Sequence, residues 1–172
     1  MNIVTFQGEP VFIGGDIPQV GALAPDFTLC AANLGEITLE QYRGKQVILN
    51  IFPSIDTPIC AQSTIKFNKM VSQHDDTVVL CISADLPFAI SRFCADEGLE
   101  NVVIASCFRH PEFLDILGCG IEKGILRGLA ARMVVVLDAN GYVTHCELVS
   151  EITHEPNYDL AINALRASQC EA

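Results

Sequence analysis

The 172-residue sequence holds no C-x-x-C pair, no run of Lys or Arg, no basic residue between Met1 and Arg43, and no purely apolar stretch longer than five residues. Its eight cysteines lie 30, 21, 13, 13, 12, 27 and 24 residues apart. Those spacings speak against a zinc ribbon, haem attachment or a thioredoxin-type dithiol, and the four histidines show no metal-ligand spacing, so no metal is expected. With 21 acidic against 10 basic side chains, the net charge of −11 repels phosphate backbones and anionic headgroups. Neither nucleic acid nor a membrane is an expected partner. The amino terminus lacks the basic n-region of a signal peptide, and runs such as Val78 to Ile82 or Met133 to Leu137 are too short to span a bilayer. A cytoplasmic location is the expectation. Thiols stay reduced there, so the cysteines do not read as a disulfide framework.

Half of the residues are hydrophobic and no repeat, low-complexity tract or linker divides them. A chain of this length buries roughly 70% of its unfolded surface, enough for one core. One domain over 1–172 is expected, with residues 1–15 forming an amino-terminal β-hairpin around Gln7-Gly8-Glu9-Pro10. Phe27 to Cys30 and Glu36 to Leu39 read as short strands, and Val47 to Phe52, apolar on both faces, as a buried central strand stopped by Pro53. Thr57-Pro58 opens a helix of about four turns. Thr77 to Ser83 is a second buried strand, Pro87 to Glu97 a helix ended by Gly98, Val102 to Ala105 a strand, and His110-Pro111-Glu112 opens a short helix ending by Gly118. Asn140-Gly141 joins Arg132 to Leu137 and Tyr142 to Val149 as a hairpin, and a last helix covers about Pro156 to Ser168. This order is that of an α/β, thioredoxin-like fold: a mixed sheet with helices on both faces.

Chemistry concentrates in Pro53-Ser54-Ile55-Asp56-Thr57-Pro58-Ile59-Cys60. With Thr57 as N-cap and Pro58 first in the helix, Cys60 falls at the third helical position, where unpaired amides and the helix dipole favour an anion. A thiol placed there loses its proton more easily, and the thiolate is the nucleophile. Free cysteine is also among the most buried residue types, so packing alone is the competing account. The place of Cys60, past the carboxyl end of a central strand where open α/β sheets put their sites, favours chemistry.

The same segment resembles the peroxiredoxins, whose Pro-x-x-x-Thr/Ser-x-x-Cys pattern is met by Pro53, Thr57 and Cys60. Asn50 to Thr57, Lys66-Phe67-Asn68, Leu80 to Ala89, Ser91 to Cys94, Gly128 to Arg132, the amino-terminal hairpin and Glu151-Ile152-Thr153 are similar to the bacterial thiol peroxidase branch of that family, over nearly the whole chain. The resemblance implies an atypical two-cysteine peroxidase that reduces hydroperoxides, organic ones especially, without a cofactor. It implies Cys60 as peroxidatic nucleophile, Cys94 as resolving cysteine, an intramolecular Cys60–Cys94 disulfide, thioredoxin as reductant and a homodimer. Thr57 can cap the helix by accepting from the Cys60 amide, bond thiolate and peroxide, or both. Arg132 is either a surface residue at a strand end or a cation turned to the site, and the resemblance favours the second. Pro53 shields the thiolate by analogy and on its own is a strand terminator.

Disulfide geometry requires Cα atoms within about 7 Å, so two cysteines on separate helices imply movement of both helices on oxidation. Cys30 and Cys81 read as core residues, Cys107, Cys119 and Cys146 match no motif, and Cys170 is expected to be exposed. His145 and Cys146 would point to opposite faces of a strand, and nothing supports a Cys-His protease dyad. Competing functions on the same fold are a non-enzymatic redox sensor or thiol-based binding protein, and a purely structural module.

Overall fold

The computed structural model describes residues 1–170. Along them run β1 (Asn2–Phe6), β2 (Glu9–Gly14), β3 (Thr28–Ala31), β4 (Glu36–Thr38), β5 (Gln46–Ile51), α1 (Pro58–Val71), β6 (Thr77–Ser83), α2 (Pro87–Glu97), β7 (Val102–Ser106), α3 (Glu112–Ile116), β8 (Gly120–Lys123), β9 (Met133–Leu137), β10 (Val143–Leu148) and α4 (Tyr158–Cys170). Seven strands build one sheet in the order β10-β9-β5-β6-β7-β3-β4. The three inner strands β5, β6 and β7 are parallel, and β9 closes against β5 antiparallel. This is the mixed, helix-flanked sheet expected from the element order.

Alternation divides each inner strand between two cores. Leu49, Ile51, Leu80, Ile82, Met133 and Val135 face one side, where they meet Phe113 and Leu117 around α3. Ile48, Val79, Cys81, Val134 and Val136 face the other, against α1, α2 and α4. Side chains on a strand change face at every residue, so a β-rich run apolar at consecutive positions has to be covered on both sides. The crossovers β5-α1-β6 and β6-α2-β7 cover the second face.

The amino-terminal hairpin turns at Gln7-Gly8, both with positive φ (53° and 83°), as a two-residue turn with the twist of its strands requires. Glycine adopts this conformation freely and glutamine does not. The sequence reading missed β8, whose four residues are too short to show a period, and which pairs with β2 to make a separate sheet of order β1-β2-β8. A small apolar cluster of Val4, Val11, Ile13, Ile121, Ala131 and Ile152 joins that sheet to the loops at the start of β9 and after β10. The last helix begins at Tyr158 rather than Pro156. Gly98 ends α2 in the left-handed conformation, with the Leu99 amide donating to the Cys94 carbonyl at 2.9 Å.

Candidate active site

The loop between β5 and α1 is shaped by its own hydrogen bonds. Ser54 Oγ donates to Asp85 Oδ1 at 2.8 Å, and the Ile55 amide donates to Asp85 Oδ2 at 2.7 Å. The amide and the hydroxyl of Thr57 both donate to the Ser54 carbonyl, at 3.2 and 2.9 Å. Thr57 is the extended N-cap residue and Pro58 the first helical residue, as read from sequence, but the Thr57 side chain does not cap the first turn. The expectation that it accepts from the Cys60 amide is therefore corrected: its hydroxyl is a donor, turned back to the loop. Ser54 offers a carbonyl within reach, and this pairing satisfies that acceptor while fixing the turn.

Cys60 lies in the first turn of α1 and is 0% exposed. Arg132, immediately before β9, is 1% exposed and is the largest fully buried side chain among the described residues. The surface alternative for Arg132 is thus excluded. Its position follows from register: Ile51 at the end of β5 pairs with Met133, so the residue before β9 lies beside the segment that leads to Cys60. Arg132 Nη2 donates to Cys60 Sγ at 3.1 Å and Nε donates to the Ile152 carbonyl at 2.9 Å. Nη1 is buried with no hydrogen-bond partner among the described residues.

A buried guanidinium is costly unless a negative group faces it. No carboxylate of the described residues forms an ion pair with Arg132. The Cys60 sulfur, at 3.1 Å, is the nearest group the guanidinium meets on its Nη2 side. The Cys60 carbonyl accepts from Ser63 Oγ and Thr64 Oγ1, both at 3.0 Å, which holds the first turn to the next.

Beside this contact lies a cavity of about 260 Å³. Pro53, Thr57 and Arg132 line it, together with Phe6, Leu126, Leu129 and Ile152. Arg132 touches both the cavity and the sulfur. Sequence reasoning did not find the part played by Ser54, Asp85, the Ile152 carbonyl or the Gln7-Gly8 turn. Asp85, Ile152 and the hairpin turn come from distant segments, and Ser54, though next to Pro53, carries no local signature of its contacts.

Cys94 sits in the last turn of α2, 6% exposed and in the same apolar cluster as Cys60, and both are free thiols. Burial pushes the Cys94 thiol up, so it rests protonated. Cys81 belongs to that cluster too, and burial, with the nearby Cys94, pushes it to about 12. Cys30 is buried as expected, and Cys107 and Cys119 are buried thiols that desolvation pushes up, Cys107 to about 11. Cys146 is half-buried and also pushed up to about 11. The expected exposure of Cys170 lies outside the described side chains. Among the described residues no cluster of His, Cys, Asp and Glu is arranged to hold a metal, and no helix is long and apolar enough to cross a membrane.

A sheet of this topology with a buried cysteine on an arginine at the head of α1 defines a thiol-redox class, and the chain belongs to the redoxin family, whose model matches residues 19–162. It is 50% identical over 162 residues to the thiol peroxidase of Vibrio cholerae serotype O1, across 94% of this chain and 99% of the relative. A peroxiredoxin-like protein from Aquifex aeolicus is 35% identical with a TM-score of 0.91, covering 98% of each chain. The thiol peroxidase from Chromobacterium violaceum has the same fold at 20% identity, with a TM-score of 0.91 over 99% of this chain and 98% of that one.

Proposed function

We propose that the protein is a thiol-dependent peroxidase in which Cys60 is the nucleophile and Cys94 resolves. The observation that carries this reading is the buried Arg132 fork: one nitrogen on the Cys60 sulfur, one on a carbonyl, and one without a partner among the described residues, in a side chain that lines the cavity. The thiolate attacks one peroxide oxygen, the O–O bond breaks, and the departing alkoxide or hydroxide takes a proton to leave as alcohol or water. Nη1 is placed to donate to the oxygen on which charge develops. Thr57, whose proton is committed to Ser54, is left as an acceptor for the peroxide O–H. Pro53 contributes an apolar wall that keeps water from the sulfur.

Cys60 is then a sulfenic acid, the first and reversible step of thiol oxidation. The Cys94 sulfur attacks it, the S–O bond breaks, and water leaves as the disulfide forms. Cys94 is buried and protonated beforehand, so this step follows release of the last turn of α2, and α1 moves with it. A dithiol reductant of the thioredoxin type restores both thiols by exchange. The cycle uses thiols and a guanidinium and belongs in the reducing cytoplasm; a homodimer is the expected assembly by family likeness.

The test is an NADPH-coupled assay with thioredoxin and cumene hydroperoxide. Many turnovers are expected in the wild type, none in Cys60→Ser, and at most a partial cycle in Cys94→Ser unless an added thiol resolves the sulfenate. A single stoichiometric oxidation without turnover would mark a redox sensor instead, and mapping of a disulfide other than Cys60–Cys94 would overturn the assignment of Cys94.

A further inference from the structure

Glu151 lies just beyond β10, outside the groups that the peroxidase chemistry uses. Its carboxylate accepts five hydrogen bonds from two separate segments. Oε1 takes the Gly8 amide at 2.9 Å and the Thr5 hydroxyl at 2.9 Å. Oε2 takes the Gln7 amide at 3.2 Å, the Thr153 amide at 2.9 Å and the Thr153 hydroxyl at 2.8 Å. Main-chain bonds run alongside: Thr5 N–H donates to Ser150 at 2.8 Å, and Ile152 N–H to Thr5 at 2.8 Å.

Each of these segments carries part of the cavity wall. Phe6 and Gln7 come from the hairpin, Ile152 and Thr153 from the loop after Glu151. The Ile152 carbonyl also holds Arg132 Nε. Gln7 stands at φ +53°, an arrangement a glutamine keeps only when its surroundings hold it. The carboxylate binding the consecutive amides of Gln7 and Gly8 supplies that hold, as an anion does in any nest of backbone N–H groups.

The geometry points to Glu151 as a positioning residue that sets peroxide selectivity, by locking the turn of the hairpin and the Ile152 segment into one wall of the cavity that Arg132 also lines. This rests on the reading of the Cys60–Arg132 cavity as the peroxide site. A hydroperoxide with a large organic group spans the cavity and meets Phe6 and Ile152. Hydrogen peroxide is small enough to need only the sulfur, Arg132 and Thr57. Loss of the wall therefore penalises the large substrate more.

Glu151→Gln is the informative change, because it keeps size but puts an amide NH2 where one carboxylate oxygen was. That NH2 must face either the Gly8 amide or the Gln7 and Thr153 amides, so donors oppose donors whichever way it turns. Steady-state kcat/KM is measured for cumene hydroperoxide and for hydrogen peroxide. The expected result is a loss about tenfold larger for cumene hydroperoxide than for hydrogen peroxide, expressed in KM, with Glu151→Asp recovering part of it. Thr5→Val, which removes one of the five bonds, should show the same direction at smaller size and covers the case in which Glu151→Gln fails to fold. Equal losses on both peroxides, or none in folded Glu151→Gln or Thr5→Val, would overturn the role of Glu151. Absence of peroxide turnover in the wild type would instead overturn the reading of the site itself.

Discussion

The Ile55 amide donates to Asp85 Oδ2 at 2.7 Å, so the loop that delivers Cys60 is tied to the residue joining β6 to α2. The same carboxylate also accepts from Ser54 Oγ at 2.8 Å and from Ser83 Oγ at 2.6 Å. One anion thus ties the start of the Cys60 helix to the root of the helix that carries Cys94. Asp85→Ala leaves two hydroxyls and an amide without their acceptor, a loss of about 2 kcal/mol for bonds to a charged group. Denaturant unfolding should show that loss, and stopped-flow measurement should show peroxide consumption slowed about tenfold, the scale of about 1.4 kcal/mol in a barrier. Unchanged kinetics would mean that the loop keeps its geometry without the carboxylate.

Arg132 serves three directions with one rigid fork. Lysine keeps the charge but presents a single point of donation, and it cannot hold the Ile152 carbonyl and the Cys60 sulfur together. Arg132→Lys is expected to lower kcat/KM for every peroxide by roughly a hundredfold, the scale of losing an oriented donor at a developing anion. A near-wild-type value would place the catalytic donor elsewhere.

Thr57 separates two roles by experiment. A side chain that caps a helix costs about 1 kcal/mol when removed, whereas here the hydroxyl bonds the Ser54 carbonyl and lines the cavity. Thr57→Ser should retain activity, and Thr57→Val should lose about tenfold or more in the rate of the first oxidation while far-ultraviolet dichroism stays unchanged. A purely thermal effect of Thr57→Val, with kinetics intact, would restore the capping role.

The Glu151 carboxyl is held down at about 2, chiefly by the Thr153 amide, with the Gly8 amide and the Thr153 and Thr5 hydroxyls adding to it against the opposing effect of burial. The ordinary glutamate value is 4.5, so as pH falls below that the unfolded chain takes up the proton first. The stabilisation from this group is fully present above about 4.5, shrinks progressively below it, and is gone below about 2. Urea unfolding at graded pH should give a difference between wild type and Glu151→Gln that is constant near neutrality and narrows only on the acid side. A difference that narrows above pH 5 would assign the linkage to another group.

The main sheet, α1 and the end of α2 were legible because their signals are local. Apolar runs without alternation marked β5 and β6, Thr57-Pro58 marked the start of α1, and Gly98 marked the end of α2. β8 was not legible, since four residues hold no period and its partner β2 lies about a hundred residues back in the chain. Which of its possible partners the Thr57 hydroxyl takes was not legible for a related reason: residue type identifies an N-cap position, but only the course of the Ser54 loop decides which group that hydroxyl meets.

Sequence by itself determined that Cys60 stands at the third position of a helix following a buried strand, because helix caps and strand ends are written in a few neighbouring residues. Tertiary structure decided what that cysteine faces. The register of β5 on β9 brings Arg132 beside it from 72 residues away, and the Asp85 clamp and the Glu151-braced hairpin complete the cavity. Those contacts depend on strand pairing and on cores closing on both faces of the sheet, long-range events that no short stretch of the chain encodes alone.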